Sequence, residues 1–215
     1  MADITYLGRG SVRVRAKEGV VVTDPFPRGA GYDIGKATAH IVTVSSNDER
    51  WNNTQAVRPM TERVFVVDGP GEYEVGGVMI NGVRTYRDKE RGAERGRNTA
   101  YVLHLDDLAF CHLGDLGHQL TTTQIEELGT VDVLFVPAYS SLQPAELTEV
   151  ISQIEPRVVV PLYDDPAQLD RLAHELGLKE WVPQEKLVAT TSSLPAIGEE
   201  TRVVIMQPLG VAVAR

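Results

Sequence analysis

Four unbroken apolar runs constrain this chain most: GVVVTDP (19–25), HIVTV (40–44), VDVLFVP (131–137) and RVVVPLY (157–163). Each holds a short stretch of β-branched and aliphatic residues with no polar alternation, and each ends at a polar or proline-bearing turn. Such runs are strands covered on both faces, the kind found inside a layered structure. A chain with several of them needs elements packed above and below its sheets.

The remaining segments say what those elements are. In the first half, ITYLG (4–8), VRVRA (12–16) and RVFVVDGPG (63–71) read as further strands. VRVRA alternates strictly, so one of its faces is polar. EYEVGGVMINGVRTY (72–86) reads as a hairpin turning at Asn81-Gly82, and TAYVLHLDDLAFCHLGD (99–115) as a second hairpin turning at Asp106-Asp107. PFPRGAGYDIGK is a loop by its proline and glycine content, and RDKERGAERGRN (87–98) is a charged loop. WNNTQAVRPM (51–60) suits a short helix capped by Asn53 or Thr54. The second half alternates strands with helices at 121–129, 144–156 and 166–177, the first stopped by Gly129 and the last by Gly177. KLVATTS and TRVVIMQPLGVAVAR close the chain as strands. No repeat or composition break divides it, so residues 1–215 are expected to form a single domain. The expected class is α/β: two mixed β-sheets packed face to face, with helices on the outer faces.

Composition excludes some functions. Lys and Arg number 21 against 30 Asp and Glu, a net charge of -9. An acidic chain repels phosphate backbones, which argues against general nucleic-acid binding. With one cysteine, Cys111, there is no intrachain disulfide and no multi-cysteine metal site. MADITYLGRG lacks the basic start and apolar core of a signal peptide, and no stretch approaches the roughly 20 apolar residues of a membrane span. The expectation is a cytoplasmic protein that contacts no membrane. There is no G-x-S-x-G elbow and no P-loop, and Cys111 lies within an apolar strand, a poor place for a nucleophile.

Sites in layered α/β proteins gather in the loops beyond strand ends. Four strand ends are polar here: Asp24 after GVVVT, Ser46 to Glu49 after HIVTV, Asp115 after FCHLG, and Tyr163-Asp164 after VVVPL. The second is the most telling. HIVTV gives way to SSNDER, a lip with no histidine and no cysteine.

These strand ends, in this order, resemble the metallo-β-lactamase superfamily, and within it the bacterial branch of small metal-dependent hydrolases that includes lactonase-like proteins. The resemblance is carried by ITYLGRGSVRV, VVVTDPF, GPGEYEVGGVMINGV (69–83), RGRNTAYVL (95–103), CHLGDLGH (111–118), VDVLFVPA and IEPRVVVPLY. It implies a di-metal site built on a T-H-x-H-x-D-H run after a buried strand. Laid over that run, Thr43 matches the Thr, Val44 the first His, Ser46 the second, Asp48 the Asp and Glu49 the third His. Arg87 after Thr85-Tyr86 stands where the family has another His. Asp115 matches the bridging Asp, and Tyr163 the last His. Arg9 also occupies a position where the family tends to have a His. Five ligand positions have thus become Val, Ser, Glu, Arg and Tyr, while two carboxylates remain.

Zinc needs three or four ligands with available lone pairs. Val44 has none, the hydroxyls of Ser46 and Tyr163 are weak, and Arg87 is a fixed cation. The sequence therefore implies no metal cofactor. The alternative is weak binding of Zn, Mn or Mg by Asp48, Glu49 and Asp115, a carboxylate set that favours hard ions. Without a metal, Asp24, Asp48, Glu49 and Asp115 would repel one another, and Arg87, with Arg9, is expected to pair with Asp115 or Asp24 in its place. Asp115 and Asp48 are the vestigial catalytic candidates; Asp24, Ser46, Glu49, Arg87, His118 and Tyr163 are the pocket candidates.

Several of these residues have a plainer reading. Asp48 and Asp115 suit turn capping, Glu49 a solvated surface, His112 a packed side chain with one hydrogen bond, His118 a structural bond to a neighbouring loop, and Tyr163 a filler of vacated volume. The expected function is a non-hydrolytic binding or scaffolding protein that takes a small molecule or a protein partner. One alternative is a hydrolase of esters, lactones or phosphodiesters with a carboxylate-rich site. Another is a subunit of a homo-oligomer whose interface took over the old pocket.

Overall fold

The computed structural model describes residues 1–29 and 31–209. Its strands are β1 (Ala2–Gly8), β2 (Ser11–Arg15), β3 (Val20–Thr23), β4 (Thr38–Ala39), β5 (Ile41–Thr43), β6 (Arg58–Pro59), β7 (Phe65–Val67), β8 (Gly71–Val75), β9 (Val78–Tyr86), β10 (Arg97–Leu105), β11 (Leu108–His112), β12 (Val133–Pro137), β13 (Val158–Leu162), β14 (Leu187–Ala189) and β15 (Arg202–Val203). Three α-helices follow the strand-rich half: α1 (Thr122–Leu128), α2 (Pro144–Ile154) and α3 (Pro166–Glu175).

The strands form two mixed sheets. The first has the order β14-β1-β2-β3-β5-β7, antiparallel up to β3 and parallel beyond it. The second has the order β15-β13-β12-β11-β10-β9-β8, parallel from β15 to β11 and antiparallel from there to β8. A two-stranded pair, β4 with β6, lies beside them. Ile4, Val12, Val14, Val21 and Ile41 of the first sheet share one core with Ile80, Leu103, Phe110, Val133, Phe135 and Val160 of the second. The sheets therefore face each other. Removing each of these side chains from water contributes about 1.5–3 kcal/mol before the cost of ordering the chain.

Strand alternation then sends Val102, Cys111, Leu134, Val136 and Val159 to the other side of the second sheet, against Leu128 of α1, Leu147, Val150, Ile151 and Ile154 of α2, and Leu172 of α3. The outer face of the first sheet is covered by Phe26, Ile34, Ala37, Ala39 and Val57, from loops and the β4–β6 pair. The short helix expected in 51–60 is a single 3-10 turn, Thr54–Ala56, with Asn53 at its N-cap.

Local chemistry sets the helix ends. Thr121 with Gln124 and Asp165 with Gln168 form capping boxes, and α2 and α3 begin with proline. Gly129 caps α1 at φ 66, and Glu155 ends α2 at φ 52. The Asp106-Asp107 hairpin turns where the sequence suggests, with φ of 54 and 61.

The other hairpin does not turn at Asn81-Gly82. The turn is at Gly76-Gly77, with φ of 60 and 87, and β9 runs straight through Asn81 and Gly82. Both dipeptides offer the backbone freedom a tight turn requires, and packing decides between them. A Cβ on Gly82 would lie 2.8 Å from the Gly69 carbonyl oxygen, so this glycine lets one strand pass close beneath another segment. Of the closing segment TRVVIMQPLGVAVAR, only Arg202–Val203 is a strand among the described residues, and 210–215 lie outside them.

Candidate functional site

The ends of β3, β5, β9, β11, β12 and β13 meet at one edge of the sandwich, where the parallel strands deliver their loops. β5 continues as Val44, Ser45 and Ser46. Val44 is buried among apolar neighbours, and its carbonyl accepts from the Tyr101 hydroxyl at 2.9 Å.

Asp24, just beyond β3, is buried with φ 39. Its Oδ1 accepts from the Ser45 backbone N–H at 2.7 Å, and its Oδ2 from the Ser45 hydroxyl at 2.5 Å. Burial pushes its carboxyl up to about 7, against the pull of the two Ser45 hydrogen bonds. His112 lies 4.0 Å from that carboxylate. It donates from Nε2 to the Gly10 carbonyl at 2.7 Å and accepts at Nδ1 from the Gly114 N–H at 3.2 Å. Both ring nitrogens are used, and burial pulls the imidazole down to about 4, so it is neutral. The sequence suggested a packed side chain with one hydrogen bond; the fold packs it with two, and with Asp24 beside it.

The centre of the edge is an arginine–aspartate network. Arg87, only 8% exposed, donates from Nε to Asp115 Oδ2 at 2.9 Å and from Nη2 to Asp48 Oδ2 at 2.7 Å. Its Nη1 donates to the Arg95 carbonyl at 2.9 Å. Arg95 adds a bond from Nη2 to Asp115 Oδ2 at 3.2 Å. Asp48 is held on its other side by Arg50, from Nε to Oδ1 at 3.0 Å and from Nη2 to Oδ2 at 2.8 Å. The Arg50 guanidinium, with help from Arg87, holds the Asp48 carboxyl well below the usual carboxylate range. Asp115 is pushed the other way by burial, with Arg95 and Arg87 pulling it back. Its backbone N–H is fixed by Asn98 Oδ1 at 3.0 Å, while its Oδ1 is buried without a partner.

The loop from 87 to 97 delivers Arg95 because Asp88 folds it. One Asp88 carboxylate accepts backbone N–H groups from Glu90, Gly92, Glu94 and Arg95 at 2.6–3.2 Å. Asp88 is buried and was not singled out in the sequence; its signal was the D-x-x-x-G spacing within a charged loop. The opposite wall of the loop's base is Gly117, where a Cβ would lie 2.1 Å from the Arg87 carbonyl oxygen. LGDLGH thus lets the Asp115 and Arg87 segments touch.

Other candidates lie elsewhere. Arg9 (φ 54) does not reach Asp115 or Asp24. It donates to Asp164 Oδ1 at 3.2 Å and lies over Trp51, 4.9 Å from the ring centroid. Trp51 stacks on Tyr139 at 4.8 Å. Glu49 is exposed and does not converge with the other carboxylates, since the turn that points Asp48 inward points its neighbour to solvent. Tyr163 is buried in the core between the sheets, edge-on to Tyr6 at 5.5 Å, its hydroxyl donating to the Met206 carbonyl at 3.2 Å. His118 accepts the Tyr86 N–H on Nε2 at 3.1 Å and donates from Nδ1 to the Gln119 carbonyl at 2.7 Å. Both Tyr163 and His118 are outside the cavity.

That cavity, about 450 Å³, opens between the Ser45–Asp48 lip, the turn at Asp68 to Pro70, and Arg84, Arg87, Arg95 and Arg97. The Ser46 hydroxyl on its wall is buried without a hydrogen-bond partner.

The donor set does not fit a divalent metal ion. Asp24 is bonded through both oxygens to Ser45, His112 has both ring nitrogens in hydrogen bonds, and Asp48 and Asp115 are bridged by a guanidinium that repels cations, which leaves Asp115 Oδ1 as the one unpartnered oxygen of the set among the described residues. Among the described residues, no three His, Cys, Asp or Glu side chains are grouped so as to hold a metal ion.

Comparison with known proteins gives the lineage. The family described as beta-lactamase superfamily domain matches residues 3–163. A structure from Thermotoga maritima, a candidate Zn-dependent hydrolase of the metallo-beta-lactamase superfamily, is 30% identical with a TM-score of 0.73, over 96% of this chain and 99% of that one. A candidate metal-dependent hydrolase from Parabacteroides distasonis is 16% identical with a TM-score of 0.65, over 96% and 94% of the two chains. The isothiocyanate hydrolase from Delia radicum gut bacteria is 11% identical with a TM-score of 0.61, over 87% and 99%. No curated protein matches the chain significantly. The continuous match over β1 to β13, the two mixed sheets and the loop-borne edge site agree: this chain belongs to the metallo-β-lactamase superfamily.

Proposed function

We propose that this chain is a metallo-β-lactamase-fold protein that has given up metal-dependent hydrolysis and acts by binding, with a small molecule as its first partner. The observation that carries this reading is the position of Arg87. Its guanidinium bonds to Asp48 at 2.7 Å and Asp115 at 2.9 Å, the two carboxylates that the family's motif gives to metal ions. A fixed cation there supplies the positive charge that the carboxylates require. Unlike a metal it has no empty coordination site, so it cannot lower the pKa of a bound water to make hydroxide. Neutral His112, with both nitrogens committed, has no free position for proton transfer.

The rival reading is a hydrolase with a carboxylate-rich metal site of Asp48, Glu49 and Asp115. It requires Arg87 to swing out of two ion pairs and exposed Glu49 to turn inward. Among the described residues no helix is long and apolar enough to cross a membrane. The test is metal content by mass spectrometry on tag-free protein, with thermal melts in EDTA, Zn²⁺, Mn²⁺ and Mg²⁺. The expected result is substoichiometric metal and an unchanged melting point. One equivalent of metal with an EDTA-sensitive melting point overturns the proposal.

A further inference from the structure

We infer that the cavity beside the arginine–aspartate network is a binding site for a phosphate group on a small molecule; this rests on the non-hydrolytic reading and names its ligand class.

Charge is the first argument. Four arginines, Arg84, Arg87, Arg95 and Arg97, line the cavity against two aspartates, Asp48 and Asp68, in a chain of net charge -9. Asp48 is already saturated by Arg50 and Arg87. Asp115 behind the wall takes up Arg87 and Arg95. Arg84 and Arg97 are both exposed, and neither has a carboxylate within 4.0 Å among the described residues. Their guanidinium groups are surplus to the network.

Strand register is the second. Arg84 is paired with Thr99, and Arg97 with Tyr86, across β9 and β10. Arg84 and Arg97 are therefore diagonal neighbours on one face, a separation of about 7–8 Å between such residues, close enough for both forks to meet one group. A phosphate dianion presents several oxygens to two planar forks at once, whereas a single carboxylate offers one edge and half the charge.

The Ser46 side chain, 7% exposed, lines the same cavity with a hydroxyl that has no partner. A buried donor left unpaired is costly, and an anion oxygen in the cavity would satisfy it. About 450 Å³ suits a small phosphorylated metabolite.

Isothermal titration with inorganic phosphate and glycerol 3-phosphate, against glycerol at matched ionic strength, tests this. Saturable binding of both anions and none of glycerol is expected. Arg84→Gln and Arg97→Gln should each weaken binding about tenfold, and Ser46→Ala by a smaller factor. Both arginine variants should melt like the parent, since their side chains are exposed and unpaired. No saturable binding, or unchanged affinity in the double arginine variant, overturns the site. The same samples are assayed for phosphate release from glycerol 3-phosphate. Binding with release supports the phosphate site while overturning the non-hydrolytic reading; absence of both binding and release overturns the site and leaves that reading standing.

Discussion

Replacing Arg87 by methionine keeps a long side chain in place and removes the charge. Asp48 loses little, because Arg50 still holds it through two bonds and it is partly exposed. Asp115 loses its shorter ion pair and keeps only Arg95 at 3.2 Å, in a site where it is 2% exposed. An uncompensated buried carboxylate costs about 3–5 kcal/mol. Protonation sets a ceiling on that figure. With an ordinary value of 3.8, forcing the proton on at pH 7 costs about 4 kcal/mol, and at pH 5 about 1.5 kcal/mol. The lost bond to the Arg95 carbonyl adds about 1 kcal/mol at either pH. Allowing for the charge that Arg95 still neutralises, Arg87→Met should destabilise by about 3–4 kcal/mol at pH 7 and about 2 kcal/mol at pH 5. Urea denaturation followed by circular dichroism at the two pH values measures this. The double variant with Asp115→Asn should regain most of the pH 7 loss, because no charge is left buried. A cost below about 1 kcal/mol at pH 7, an equal cost at both pH values, or no recovery in the double variant would refute the reasoning.

Two further outcomes follow from the same edge. Asp24, raised to about 7 from 3.8, binds its proton more tightly when folded, so its contribution is full below pH 4 and is lost as pH rises to 7; His112, lowered to about 4 from 6.5, is neutral when folded, so its contribution is full above pH 6.5 and is lost as pH falls to 4. The two slopes oppose each other between pH 4 and 6.5, so stability of Asp24→Asn should climb with pH across that window relative to the parent, and stability of His112→Asn should fall; parallel profiles would remove the pair from the account. Gly117→Ala places a Cβ 2.1 Å from the Arg87 carbonyl oxygen and 2.6 Å from the Asp88 backbone nitrogen, so it should cost about 3 kcal/mol or more by denaturation and also release the 88–95 loop to proteolysis.

The layered fold was legible because its signals are local. Continuous apolar runs mark strands covered on both faces, capping residues mark α1 and α3, and the two aspartates at 106 and 107 mark a turn that needs no distant partner. The absence of imidazoles from SSNDER is likewise a property of the residues themselves. Gly82 marks where this kind of reading stops: Asn81-Gly82 and Gly76-Gly77 are equally able to turn, and the choice rests on the Gly69 backbone crossing beneath β9.

The site followed the same division. The sequence by itself determined which residues stand at these strand ends, Val44, Ser46, Asp48, Glu49, Arg87, Asp115 and Tyr163, and that no imidazole is among them. The tertiary structure decided the partners. Arg87 bridges Asp48 and Asp115, which are 67 positions apart; Arg95 joins them because Asp88 gathers four backbone N–H groups; Arg9 goes to Asp164 instead; Glu49 faces solvent while Tyr163 fills the core. Ion pairing depends on distances of 3 Å between side chains brought together by folding, and a buried charge is tolerated only where such a partner arrives. A sequence specifies which groups must be satisfied, and the packing of the two sheets selects which groups satisfy them.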